Sequence, residues 1–163
     1  MRNTYHKSGS TLIELLVYMG LLGIFLVTIT KVFTGILGAR LEVSAYGSVA
    51  NDSRYVTRRL GYDIQRASNI IQPISYGVGS SLFVVTTPEG QITYSQIGSN
   101  LILGRAGNTY RLNTDGVEVR SFVVTKTRKG THDALNIQLV LDSTTQTDSQ
   151  LKTRSLDLVY AIR

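Results

Sequence analysis

An uncharged run near the N-terminus, residues 15–27 (LLVYMGLLGIFLV), constrains this chain more than any other feature. Extended to residues 10–30 it is 21 residues long, and Glu14 is its only charged side chain. At about 1.5 Å of rise per residue such a helix is about 30 Å long, the thickness of a bilayer's hydrocarbon core. Arg2 and Lys7 precede it, which predicts a cytoplasmic N-terminus, one span, and nearly everything after Lys31 on the far side. A secretory signal peptide shares the basic start and apolar core. Here no A-x-A-like site closes the run, and Thr28-Ile29-Thr30-Lys31-Val32-Phe33 continues a helical pattern. A plain signal anchor fits the apolar run but gives no reason for an acid at position 14.

The 163 residues suit one domain. With 42% hydrophobic and only 17% charged residues, the chain is neither a disordered tail nor an acidic solvating segment. It has no cysteine, which excludes disulfides, cysteine-ligated zinc, Fe–S clusters and thiol nucleophiles. Its two histidines, His6 and His132, leave little room for histidine-based metal or acid–base chemistry.

A carboxylate in or near hydrocarbon is costly when ionised and unpaired, so Glu14 reads as a functional residue that needs a cation. No basic residue lies within four positions of it. The partner is therefore expected from another chain or from a newly made N-terminus. The string around it, Lys7-Ser8-Gly9-Ser10-Thr11-Leu12-Ile13-Glu14-Leu15-Leu16-Val17, resembles the cleavage and methylation motif of type IV pilins and type II secretion pseudopilins. The resemblance implies cleavage after Gly9 by a prepilin peptidase, Ser10 as the mature N-terminus and site of N-methylation, and Glu14 as the family's assembly glutamate. Ser10 stands where the family usually has Phe. Physically the arrangement is coherent, since cleavage frees an α-amine that a carboxylate four residues into a neighbouring parallel helix can face. In low dielectric, removing either partner would cost about 3–5 kcal/mol. Gly9, lacking a Cβ, lets a peptidase approach the backbone closely.

Past the apolar run, Val49, Ser53, Val56, Leu60, Ile64 and Ala67 recur at helical spacing, with Arg54, Arg58, Arg59, Asp63 and Arg66 assigned to the other faces. No proline occurs before Pro73, so one helix is expected from about Thr11 to about Asn69. Gly20, Gly23, Gly35, Gly38, Gly47 and Gly61 are its weak points, each costing about 1 kcal/mol relative to alanine. They mark local unwinding or close helix packing. Strand patterns follow at residues 82–86, 91–97, 101–103, 109–112, 117–127, 135–141 and 156–162, separated by Gly-, Asn- and Asp-rich turns. Ile137, Leu139 and Leu141 alternate with Gln138 and Val140, and Leu156, Leu158 and Tyr160 with Asp157, Val159 and Ala161. That alternation predicts an antiparallel sheet with one face packed on the helical stripe. The expected fold is α+β: a leader (1–9), the transmembrane half of a helix (10–31), its amphipathic half (32–69) and an antiparallel β head (70–163). In order and length this is similar to the minor pseudopilins of type II secretion, the J-type in particular, and to related minor pilins.

Other chemistry is sparse. His132-Asp133 reads as a solvated loop, because adjacent residues diverge and no third ligand or nucleophile lies near. Asp142 and Asp148 flank the polar run 143–150, but EF-hand spacing is absent. Gly104-Arg105-Ala106-Gly107 lacks the lysine and following helix of a phosphate-binding loop. No catalytic residue, metal or cofactor is expected. The chain carries +6 formal charge, falling to +4 once Arg2 and Lys7 are removed. Arg120, Lys126, Arg128 and Lys129 cluster without an intervening acid. They could meet DNA phosphates, as in competence pili, although solvated strand edges are the preferred reading. The resemblance thus implies a structural subunit, minor rather than major, taken up into a pilus or pseudopilus. Its implied partners are the prepilin peptidase, other subunits through the N-terminal helix, the inner-membrane assembly platform and the lipid bilayer.

Overall fold

The computed structural model describes residues 11–129, 132–145 and 151–161. Gly9, Ser10, Arg2, Lys7, His6 and Asp148 lie outside the described residues. A single α-helix, α1, spans Leu12–Gln65, 54 residues without a break. The Thr11 carbonyl accepts from the Glu14 and Leu15 N–H groups (3.0 and 3.2 Å), which makes Thr11 the N-cap. None of the six glycines interrupts it. The chain divides into two units, Met1–Arg40 and Leu41–Arg163.

In the first unit, every described residue is exposed except Gly38, which is intermediate. The helix here contains a stretch long and apolar enough to cross a membrane. Its threonine hydroxyls bond back to the helix. Thr28 and Thr30 donate to the Ile24 and Leu26 carbonyls (2.9 and 2.8 Å), and Thr34 to those of Thr30 and Lys31 (3.0 Å each). An apolar helix can carry threonine at no desolvation cost when the side chain bonds back in this way.

In the second unit, the helical stripe is buried as its spacing predicts: Val49, Ser53, Val56, Leu60 and Ile64 are in the core, with Ala67 half-buried just past the helix. It packs on antiparallel sheets, so the architecture is α+β. The expected single antiparallel sheet is instead two sheets. The first is five-stranded, in the order β1-β3-β4-β5-β6: β1 (Asn69–Gln72), β3 (Leu82–Thr87), β4 (Gly90–Ile97), β5 (Asn100–Arg105) and β6 (Asn108–Arg111). The second is four-stranded, in the order β2-β7-β8-β9: β2 (Gly79–Ser80), β7 (Val117–Lys129), β8 (His132–Ser143) and β9 (Thr153–Ala161). Both sheets and the helix share one core, in which Phe83, Tyr94, Leu60, Phe122, Leu135 and Ile137 are almost wholly buried.

Two local devices explain where the strands begin and which way they face. The helix stops at Gln65, short of Asn69, because the Ser68 N–H and hydroxyl both turn to the Thr86 carbonyl (2.8 and 3.1 Å) and start β1 on the edge of β3. In β7, a bulge between Val119 and Ser121 leaves Arg120 without a partner in the ladder. One extra residue flips the inward parity, so Val117 and Val119 are buried before it and Phe122 and Val124 after it. Hairpin turns fall where Gly and Asn predict them. In the two-residue β5–β6 turn, Ala106 and Gly107 both adopt positive φ (50° and 81°), the geometry that matches strand twist.

Candidate functional site

The features with most to say about function are the exposed apolar helix and the acid at its start. Leu12, Ile13, Leu16, Tyr18, Ile24 and Phe25 are all more than half exposed. Gly20, Gly23, Gly35 and Gly38 have nothing within 4 Å of where a Cβ would stand. Their backbone is open to close approach by another helix, so the packing role expected of glycine is left to a partner. Glu14 sits in the first turn, third after the Thr11 cap. There its negative charge complements the helix dipole. Among the described residues, no cation pairs with it. Its two expected companions, the Gly9 cleavage position and the Ser10 amine, fall outside the described residues.

The basic residues expected to form a patch are met by acids from the neighbouring strand. The sequence order hides this, because antiparallel pairing of β7 with β8 sets residues 121–129 against 140–132, with Arg120 bulged out between Val119 and Ser121. Arg120, swung out by the bulge, pairs with Asp142 (2.6 Å), a residue that is otherwise buried. Arg128 Nε donates to Asp133 (2.8 Å), and Lys126 lies 3.5 Å from the same carboxylate. Tyr76 completes the cluster: its hydroxyl donates to Asp133 and accepts from Arg128 (both 2.6 Å), while Lys126 and Arg128 stand over its ring at 4.9 and 4.5 Å. Hydrogen bonds from Arg128 and Tyr76 hold the Asp133 carboxyl down at about 2. Asp133 is thus part of a strand-end cluster, where the sequence alone suggested a loop. Lys129 stands opposite His132 in the ladder.

Two acids that sequence reasoning missed do structural work. Asp63, assigned to an outer face, is buried and accepts hydrogen bonds from the Tyr94 hydroxyl and from Arg59 Nε (3.0 Å). Burial, reinforced by Asp63, pushes the Tyr94 hydroxyl above its ordinary value. Asp52 is buried as well, and accepts from the Thr114 N–H and hydroxyl (2.7 and 3.0 Å). The signal was available, since residues 49, 52, 56, 60 and 63 keep the i, i+3, i+7 spacing of one face. Asn113, also buried, bonds to the Leu101 N–H (3.0 Å) and the Val117 carbonyl (2.6 Å) and so joins the two sheets.

A cleft of about 560 Å³ is lined by residues that include Ile64, Ser68, Asn69, Lys126, Tyr160 and Ala161. Lys126 is its one charged side chain, and it is engaged with Asp133 and Tyr76. Among the described residues, no group of three His, Cys, Asp or Glu could hold a metal ion. No family model, no curated protein and no solved structure matches this chain.

Proposed function

We propose that the chain is a structural subunit, with no catalytic role, of a type IV pilus or type II secretion pseudopilus. In this reading it is made with a basic leader, crosses the cytoplasmic membrane once with its head outside, and is cut after Gly9 by a prepilin peptidase. It then enters a filament by packing its apolar helix against those of other subunits. Glu14 pairs with the freed Ser10 amine of a neighbour, and the inner-membrane assembly platform drives uptake. The order of elements is similar to that of the minor subunits and favours a minor pilin or pseudopilin. A major pilin would polymerise alone.

One observation carries the proposal. An unbroken helix presents an exposed apolar surface with an acid in its first turn, then continues into a stripe buried under β-sheets. An acid here needs a partner, and a filament of parallel helices supplies one. Binding of DNA through Arg120, Lys126, Arg128 and Lys129 is less well supported, because three of the four are engaged in ion pairs, Arg120 with Asp142 and Lys126 and Arg128 with Asp133. The Glu14 role is tested by shearing filaments from cells that carry the peptidase and assembly machinery. Wild-type chain is expected in them, whereas Glu14→Val is cleaved but left in the membrane. Uptake of Glu14→Val at the wild-type level would end the assembly role and leave Glu14 as a helix-start charge.

A further inference from the structure

The four-stranded sheet treats its two edges differently. The outer edge of β7 is covered along most of its length. β2 pairs with Val124 and Thr125, the Gly77 N–H donates to the Lys126 carbonyl (2.8 Å), and the Gln96 amide accepts from the Phe122 N–H (2.8 Å) while donating to the Val119 carbonyl (3.0 Å). At the opposite edge, β9 pairs with β8 through nine residues without a bulge, from Asp142 opposite Thr153 to Ala134 opposite Ala161. The Ser143 N–H donates to the Lys152 carbonyl (2.9 Å), which fixes the parity of the ladder. Arg154, Leu156, Leu158 and Tyr160 exchange main-chain bonds with β8, and Thr153, Ser155, Asp157, Val159 and Ala161 turn theirs outward. No hydrogen bond found among the described residues uses that outward row.

Natural sheets blunt such an edge with proline, lysine, a bulge or a covering segment. β9 contains no proline, lysine or bulge, and Val159 is 70% exposed. Its inward row is also unfinished. Leu156, Leu158 and Tyr160 touch the core yet are only part-buried, while Leu135, Ile137 and Leu139 beside them in β8 are wholly buried. One more strand would satisfy the outward main-chain groups and cover the apolar row together.

We propose that the outer edge of β9 is a docking site for an extended strand of a different polypeptide carrying Lys or Arg opposite Asp157. The charge selects the occupant. Asp157 stands at the centre of β9, so full-length antiparallel pairing with a second copy would set Asp157 against itself, and like charges directly opposite are destabilising. A strand with a central cation turns the same position into an attraction and adds by main-chain hydrogen bonding, with alternate side chains reading the faces. The inference holds whether or not the chain is cleaved at Gly9.

The test uses the full chain in detergent and two synthetic peptides as long as β9. Each alternates Thr and Val, and one has a central Lys where the other has Glu. The Lys peptide is expected to slow hydrogen exchange at the amides of Thr153, Ser155, Asp157, Val159 and Ala161 while leaving those of Leu156 and Leu158 unchanged. The Glu peptide should bind about three- to tenfold more weakly, and Asp157→Lys, at an exposed position that leaves the core untouched, should reverse the preference. Failure of the Lys peptide to bind, binding without protection of the outward amides, or indifference to the central charge would overturn the proposal. Protection of those amides that grows with chain concentration and needs no peptide would assign the edge to a second copy, and would overturn it equally.

Discussion

Asp63 lies one turn beyond Arg59 on a helix that also carries Arg54 and Arg58, and its residue type alone says surface. Its position says otherwise, because it shares a face with Val56 and Leu60 and meets the Tyr94 hydroxyl of the five-stranded sheet. Asp63→Ala would strand a buried hydroxyl and half of an ion pair whose arginine is one-quarter exposed. Urea unfolding is expected to show a loss of about 2–4 kcal/mol, reduced from a fully buried pair by the solvent at Arg59. A loss no greater than that of an exposed acid would mean the latch does not form. Asp133 supplies the pH dependence. Its folded carboxyl is depressed from 3.8 to about 2 by Arg128 and Tyr76, so its contribution is present above pH 3.8 and is lost as pH falls through about 2. A carboxyl-carbon NMR titration should place its midpoint near 2, and Tyr76→Phe should raise it; a wild-type midpoint near 3.8 would contradict the cluster.

At the scale of elements, the legible parts were those set by local periodicity. The stripe from Val49 to Ile64 and the alternation of residues 135–141 appear in the fold as read, and the hairpins β3–β4, β4–β5 and β5–β6 turn at or beside Gly90, Gly98 and Gly107. What the sequence concealed depends on non-local pairing. Nothing local says that β7 leaves the first sheet to found a second, that Arg120 is the extra residue of a bulge, or that Asp133 will stand opposite Arg128 and Asp142 within reach of Arg120. β1 and β2 escaped because they are short and are stabilised by their partners. The helix glycines were all read as weak points, and their surroundings separate them. At Gly47 nothing lies within 4 Å of an added Cβ, whereas at Gly61 the Tyr160 hydroxyl would be 3.3 Å away. Gly47→Ala should therefore stabilise by up to about 1 kcal/mol through helix propensity. Gly61→Val should destabilise by about 1–3 kcal/mol by pressing on Tyr160 and β9. Thermal unfolding of both variants checks the pair, and equal effects would mean that α1 and β9 do not pack as described.

For the whole molecule, two kinds of surface stand open: an apolar helix with an acid in its first turn, and a sheet edge without proline, lysine or bulge. Both fit the proposed subunit, whose final environment would be a membrane followed by an assembly. That reading depends first on the leader, where the sequence resemblance is most specific. The decisive measurement is the intact mass of the full chain co-expressed with a prepilin peptidase, beside a Gly9→Asp control. The account predicts a product beginning at Ser10, with or without one added methyl group, and no such product from the control. An unprocessed mass under conditions in which a known prepilin is cut would contradict it, and would leave a singly anchored β domain whose Glu14 serves only its own helix.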